Sequence, residues 1–302
     1  MSQINISAEV RDAVAAGKPV LALESTIFTH GLPRPRNVQV ATVSEQQLRD
    51  AGITPATIGV VDGVLTVGLS TSEIERLSHD DAVVKASIRD LPIVAAKKLN
   101  AGTTVAATAY AAHAAGIKVF STGGLGGVHQ GASTTFDESA DLGALATLPL
   151  VVISAGVKSI LDIGLTLERL ETLNIPVVGW QTTDYPGFYI TDSGYDIEYS
   201  VSSTDEIASI SAARDDLNLS STVLVANPIP ADQQLPPATL EKVLTEAHAA
   251  AALEGISGHD TTPFLLDYIQ KATGGESLEV NINVYRNNVA LGAEIARSIS
   301  NR

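Results

Sequence analysis

The chain has 302 residues and carries 19 Lys and Arg against 34 Asp and Glu, a formal net charge of -15 that argues against non-specific binding to nucleic acid or an anionic membrane but leaves room for one basic phosphate pocket. It has no cysteine, which excludes disulfides, thiolate metal sites and cysteine nucleophiles. Hydrophobic residues make up 45% and aromatics only 4%, so Ala, Val, Ile and Leu must build the core, a composition suited to buried parallel strands covered by helices.

The start, MSQINISAEV, has neither a basic segment nor an apolar leader, and no run approaches the ~18 apolar residues of a membrane span. A soluble cytoplasmic protein is the expectation. Residues 1–17 read as a leading helix ending near Gly17. Residues 19–23 form an apolar strand that delivers Glu24, Ser25 and Thr26 at its carboxyl end, the edge where open α/β sheets bind ligands. Glu24 follows VLAL directly, so it is either partly buried with a raised pKa or a surface glutamate at a strand end. His30, beside the proline-punctuated loop 31–37, reads as a hydrogen-bonding structural residue.

A helix is predicted over 38–51 and a strand over 56–61. Asp62-Gly63 signals a hairpin into VLTVGL, and 71–78 is a short helix. The strand 82–87 places Lys85 in apolar company, which requires a strand-end position, an anionic partner or a snorkelling stem. A further strand is read over 91–96. Thr103 and Thr104 then open an alanine-rich helix closed by Gly116. Two threonines there suit a phosphate or ordinary capping, and His113 reads as packing.

The chain is organised around residues 119–142, VFSTGGLGGVHQGASTTFDESADL. A strand feeds a loop containing Gly123, Gly124, Gly126, Gly127 and Gly131, which then delivers Asp137, Glu138, Ser139 and Asp141. Glycines let backbone N–H groups approach a ligand, and an acidic segment opening a helix can hold a cation beside an anion. The same residues also read as a plain helix start, with Thr135 and Glu138 at capping-box spacing.

Residues 150–155 form a strand that leads through Gly156 to Lys158 and a helix over 159–173. Lys158 is either an amine nucleophile near the same sheet edge or a solvent-facing helix lysine. A strand follows at 175–180. Residues 181–199 are irregular and tyrosine-bearing, and read as an excursion, a lid or an oligomer contact. A helix at 204–213 and a strand at 222–226 precede Asn227-Pro228-Ile229-Pro230. Helices at 237–253, 262–273 and 278–298 close the chain. Asn281, Asn283, Asn287 and Asn288 are dense amides for a helix, so some should face a polar site. Strands alternating with helices predict a single α/β/α layered domain over 1–302 with a mostly parallel sheet.

ALESTIFTHGLPRPRN, PATIGVVDG, KASIRDLP, TGGLGGVHQGASTTFDESADL, SAGVKSILDIGLTLE, NPIP and TPFLL occur in that order. Together they resemble the pseudouridine-5'-phosphate glycosidase family, also called indigoidine-synthase-A-like, over nearly the whole chain. The resemblance implies cleavage of the C–C glycosidic bond of pseudouridine 5'-phosphate to uracil and ribose 5-phosphate. It implies Lys158 as the catalytic lysine, Glu24 as the proton donor and Asp137 as the single protein ligand to Mn²⁺, with Mg²⁺ as a substitute. Substrate contacts fall on Lys85, Val105, Ser139, Ala140, Asp141 and Asn281, and Thr122 and His129 line the glycine loop. A homotrimer acting on a small nucleotide is implied, with no nucleic-acid or membrane partner. The order of residues 100–104, NAGTT, departs from the family's usual NGATT, and Trp180 stands where tyrosine is expected.

A C-glycoside has no leaving-group oxygen to protonate, so the paired-carboxylate scheme of O-glycosidases does not serve. Lysine attack at the anomeric carbon opens the ribose ring toward an imine while an acid protonates the uracil carbon. Two alternatives share parts of this pattern: a Schiff-base aldolase or lyase on another sugar phosphate, and a non-catalytic nucleotide-binding sensor. The aldolase needs no proton donor aimed at a base carbon, and the sensor needs no amine nucleophile.

Overall fold

Period-two alternation inside short apolar runs builds one sheet, and its two faces are both buried. The computed structural model describes residues 4–256, 258 and 261–302. Its strands are β1 (Ile4–Ile6), β2 (Val20–Leu23), β3 (Thr54–Val61), β4 (Val64–Val67), β5 (Val84–Ala86), β6 (Ala101–Thr103), β7 (Val119–Ser121), β8 (Val151–Ser154), β9 (Val177–Trp180), β10 (Tyr199–Val201) and β11 (Val223–Ala226). The main path runs β1-β4-β3-β2-β7-β8-β11-β9-β10, with β6 pairing β3 and β5. All pairings are parallel except β3–β4 and β3–β6.

Along the central strands, Ala22, Phe120, Val152 and Leu224 belong to one apolar cluster. Their neighbours Leu21, Leu23, Val119, Val151, Ile153, Val223 and Val225 belong to the other. Successive side chains point to opposite faces, so strands buried on both sides read as unbroken apolar runs. The small-residue helix Val105–Ala114 packs on the first face. Helices Arg36–Asp50 and Glu276–Ser300 pack on the second. The expected α/β/α layering with a mostly parallel sheet is therefore present.

Four local expectations are corrected. Residues 4–6 form β1 on the edge beside β4, so the leading helix is only Ala8–Ala15, capped by Ser7; the first three residues lie outside the described ones. Leu91–Lys97 is a helix with Pro92 in its first turn, where a missing N–H costs nothing. A short apolar run does not distinguish strand from helix by pattern alone. Thr103 ends β6, and Thr104 is the N-cap of the following helix. The helix after Lys158 begins at Ile163, capped by Asp162. The hairpin at Asp62-Gly63 forms as expected, with both residues at positive φ.

Candidate active site

Parallel β2, β7 and β8 are neighbours, so Glu24, Thr122 and the 155–158 segment emerge at one edge. Glu24 leaves a strand whose four residues are all buried and is itself only 8% exposed. Burial raises its pKa, and Asp141 adds to the rise; Lys158, the Thr122 hydroxyl and Lys85 oppose it. The carboxyl is thus biased toward its protonated form, with the Lys158 amine and an oriented hydroxyl beside it. Thr122 is fully buried and its hydroxyl donates a short hydrogen bond to Glu24 Oε1. It therefore positions the acid rather than merely lining the loop.

The raised pKa has a stability consequence. A folded-state pKa above the unfolded value near ~4.3 means that the native state holds the proton more tightly. Glu24 then costs nothing below the unfolded value, and stability is lost as pH rises from there through the folded pKa. Glu24→Gln should melt with the parent protein in acid and above it at neutral pH, read by thermal melts across pH. A Gln variant that is no more stable than the parent at neutral pH would contradict the assignment.

The glycine loop is held as an extension of the sheet. Leu125 pairs with Val157: the Leu125 N–H donates to Gly156 O at 3.0 Å and the Lys158 N–H to Leu125 O at 3.1 Å. Lys158 is half-buried, and its Nζ donates to Gly124 O at 2.8 Å. Its backbone and its amine are thus both fixed by the loop. Gly124 cannot carry a side chain, because a Cβ there would lie within 2.5 Å of the Phe188 ring. Phe188 comes from the 181–199 excursion, and Tyr185, Phe188 and Tyr189 are all buried. Those three aromatics are part of the core behind the loop, whereas Tyr195 and Tyr199 of the same segment are exposed.

Asp141 is a clamp. Its Oδ1 accepts from the Ala106 N–H and its Oδ2 from the Gly126 N–H, both at 2.9 Å, tying the helix Val105–Ala114 to the loop. Gly126 has no room for a Cβ beside Ser139 and Asp141. The Ser139 hydroxyl caps the helix Ala140–Leu145 by accepting from the Asp141 N–H. The capping box read at Thr135 and Glu138 does not form, since Glu138 is ion-paired with Arg169. Val105 and Ala140 occupy first helical positions, whose N–H groups have no intrahelical acceptor.

Lys85 lies on β5 beside Gly102. The residue is exposed, yet desolvation by the surrounding protein lowers its pKa and Lys158 lowers it further, while Asp141 and Glu24 pull it back up. These couplings bring Glu24, Lys85, Asp141 and Lys158 around one site. His129 and Asp137 lie at the far end of the loop, with Nδ1 4.0 Å from Oδ2. Asn281 Oδ1 borders Gly123.

Residues 9–298 match the model of the family described as indigoidine synthase A like protein. The chain belongs to that family. It is 64% identical to a pseudouridine-5'-phosphate glycosidase of Saccharopolyspora erythraea over 98% of this chain and 97% of that one. It is 55% identical to a pseudouridine-5'-phosphate glycosidase of Frankia alni, over 98% and 82%. Among solved structures, the prealnumycin C-glycosynthase in complex with ribulose 5-phosphate superposes with a TM-score of 0.92 at 33% identity, covering 100% of this chain and 98% of that one. An indigoidine synthase A-like protein from Thermotoga maritima gives 0.89 at 34%, covering 98% and 96%.

Two contributors were not legible at their positions. Phe188 braces Gly124 from a segment without periodicity, which the sequence reads as an excursion, a lid or an oligomer contact. Asn288 is fully buried and donates to Thr122 O and Gly123 O at 2.8 and 3.0 Å. The density of asparagines signalled a polar site but not which one would reach it. His30 bonds Thr29 and the Val83 carbonyl, the structural role expected of it.

Proposed function

We infer that this chain cleaves the C1′–C5 bond of pseudouridine 5'-phosphate, giving uracil and ribose 5-phosphate. The observation that carries the reading is the pairing of a buried, pKa-raised Glu24 with a loop-held Lys158 at one sheet edge, in a chain sharing 64% identity with a relative of that name. The Lys158 amine attacks C1′ with its lone pair, and the C1′–O4′ bond breaks with its electrons and a proton going to O4′. Glu24 then gives its proton to C5 of the base. The C1′–C5 pair stays with uracil while the Nζ lone pair becomes a C=N bond. Water hydrolyses that iminium, releasing ribose 5-phosphate, restoring the neutral amine and returning the surplus proton to the Glu24 carboxylate. A proton donor aimed at a base carbon separates this reading from an aldolase, and an amine nucleophile separates it from a sensor.

For the phosphate, the Lys85 amine and the N–H groups of Val105 and Ala140 at two helix starts supply positive potential. Asp141 contributes by fixing those helix starts. Incubation with pseudouridine 5'-phosphate and Mn²⁺ should release uracil, followed by chromatography of the free base. No release, with ribose 5-phosphate and uracil equally unreactive in reverse, would reject the reading.

For the metal, no group of three or more His, Asp or Glu converges among the described residues. Asp137 stands partly exposed, with the His129 Nδ1 4.0 Å from its carboxylate. One such carboxylate fits a hard cation that keeps most of its water, Mn²⁺ or Mg²⁺, and not one that needs a protein cage. When bound, the ion supplies positive charge to the substrate phosphate. Asp137→Ala should raise KM and make the residual activity insensitive to a chelator. A variant as metal-dependent as the parent would contradict this.

The assembly we propose is a closed homotrimer acting in the cytoplasm. Among the described residues no helix is long and apolar enough to cross a membrane. Light scattering should give about three times the 31.4 kDa chain mass, and a concentration-independent monomer would reject the trimer.

A further inference from the structure

A second cavity, of about 500 Å³, opens at the carboxyl ends of β9 and β11, away from Glu24 and Lys158. Trp180, Gln181, Asp184, Asn227, Asn287 and Glu294 line it. Its charged lining is wholly acidic, Asp184 and Glu294, with no Lys or Arg. A phosphate-bearing ligand is therefore disfavoured, and this is not the pocket for the nucleotide.

Asn227 ties the cavity to the catalytic loop. Asn288 spends its amide N–H groups on Thr122 O and Gly123 O, so the atom it turns to Asn227 is its oxygen. Asn227 must then present Nδ2, at 2.9 Å. That orientation leaves Asn227 Oδ1 without a hydrogen bond among the described residues, on a side chain that is only 7% exposed and lines the cavity. Facing the cavity, that oxygen is an acceptor open to water or to a ligand N–H. With the Asp184 and Glu294 carboxylates, the cavity offers acceptors, and the Trp180 indole offers a flat face.

We propose that this cavity is a second binding site for a planar, non-phosphorylated, N–H-bearing molecule, the class to which the free pyrimidine base belongs. The choice of uracil as ligand rests on the function proposed above, since uracil is the product the chain itself would generate. Occupancy would be sensed at the reaction centre through Asn227, Asn288 and the Thr122 hydroxyl on Glu24.

Trp180 is the only tryptophan in the chain, so its emission reports this cavity alone. Uracil should be titrated into the full-length protein while Trp180 emission is followed, with bound uracil counted by equilibrium dialysis. The expected result is a saturable emission change matched by a bound component. Asn287→Leu and Asp184→Ala should each weaken that component by about tenfold, and Glu24→Gln should leave it in place. Two variants on different elements guard against one failing to fold. The absence of such a component, or one that the cavity variants leave intact, overturns the proposal. Uracil release from pseudouridine 5'-phosphate is assayed on the same preparation. Cleavage without the component sinks the second site alone, and the component without cleavage sinks the proposed reaction alone.

Discussion

Lys158→Ala should abolish uracil release, by roughly 10⁴-fold or more, because it removes the nucleophile rather than a binding contact. The fold should survive the change. The Lys158 backbone N–H still donates to Leu125 O, and the side chain bonds only the Gly124 carbonyl. Loss of the amine also removes the strongest influence opposing the burial of Glu24, so the Glu24 pKa should rise further. The contrast is Lys85→Ala. That amine is proposed to hold the phosphate, so its loss should raise KM more than it lowers kcat. Steady-state assays of both variants, beside thermal melts, separate the roles. Residual turnover by Lys158→Ala near the parent rate would leave an acid-driven oxocarbenium route as the surviving mechanism.

Glu24→Gln should cut kcat by roughly 10² to 10⁴, the range for a lost general acid, while attack by Lys158 remains possible. The amide oxygen keeps the acceptor for Thr122, so the geometry of the loop is retained. Without a proton for C5 the sequence stalls after ring opening. A substrate adduct that still carries the base should then accumulate on Lys158, visible as a mass increase of the intact protein equal to the whole nucleotide. The parent protein should show no such species, because its adduct loses the base. Full uracil release by the Gln variant would remove Glu24 from the proton-transfer role.

Much of the frame was readable because the parallel strands are buried on both faces. Their apolar runs are short, continuous and bounded by polar residues at the carboxyl end, so Glu24 and the 155–158 segment announce a sheet edge. Residues 91–97 defeat the same logic, since LPIVAAK is as apolar as a strand and only Pro92 argues for a first helical turn. The site divides in a similar way. The strands that Glu24 and Lys158 follow put both at one sheet edge, while their roles, like that of Asp137, came from resemblance. The work of Asp141 in tying the helix Val105–Ala114 to Gly126 depends on contacts 35 and 15 residues away in sequence. No local pattern encodes that. Phe188 against Gly124 is likewise a tertiary fact, for an aromatic at positive φ in an irregular segment carries no periodicity to read. Asn288 lies between these cases: its amide is conspicuous in a helix, but its partners at Thr122, Gly123 and Asn227 appear only once the sheet is assembled.

The central claim is that one lysine becomes covalently bound to the sugar. The direct measurement is borohydride reduction during turnover of pseudouridine 5'-phosphate, followed by proteolysis and mass spectrometry of the peptides. The account predicts a ribosyl phosphate mass, without the base, on the peptide carrying Lys158 and on no other. Uracil released with no labelled peptide, or with the label on Lys85, would contradict it.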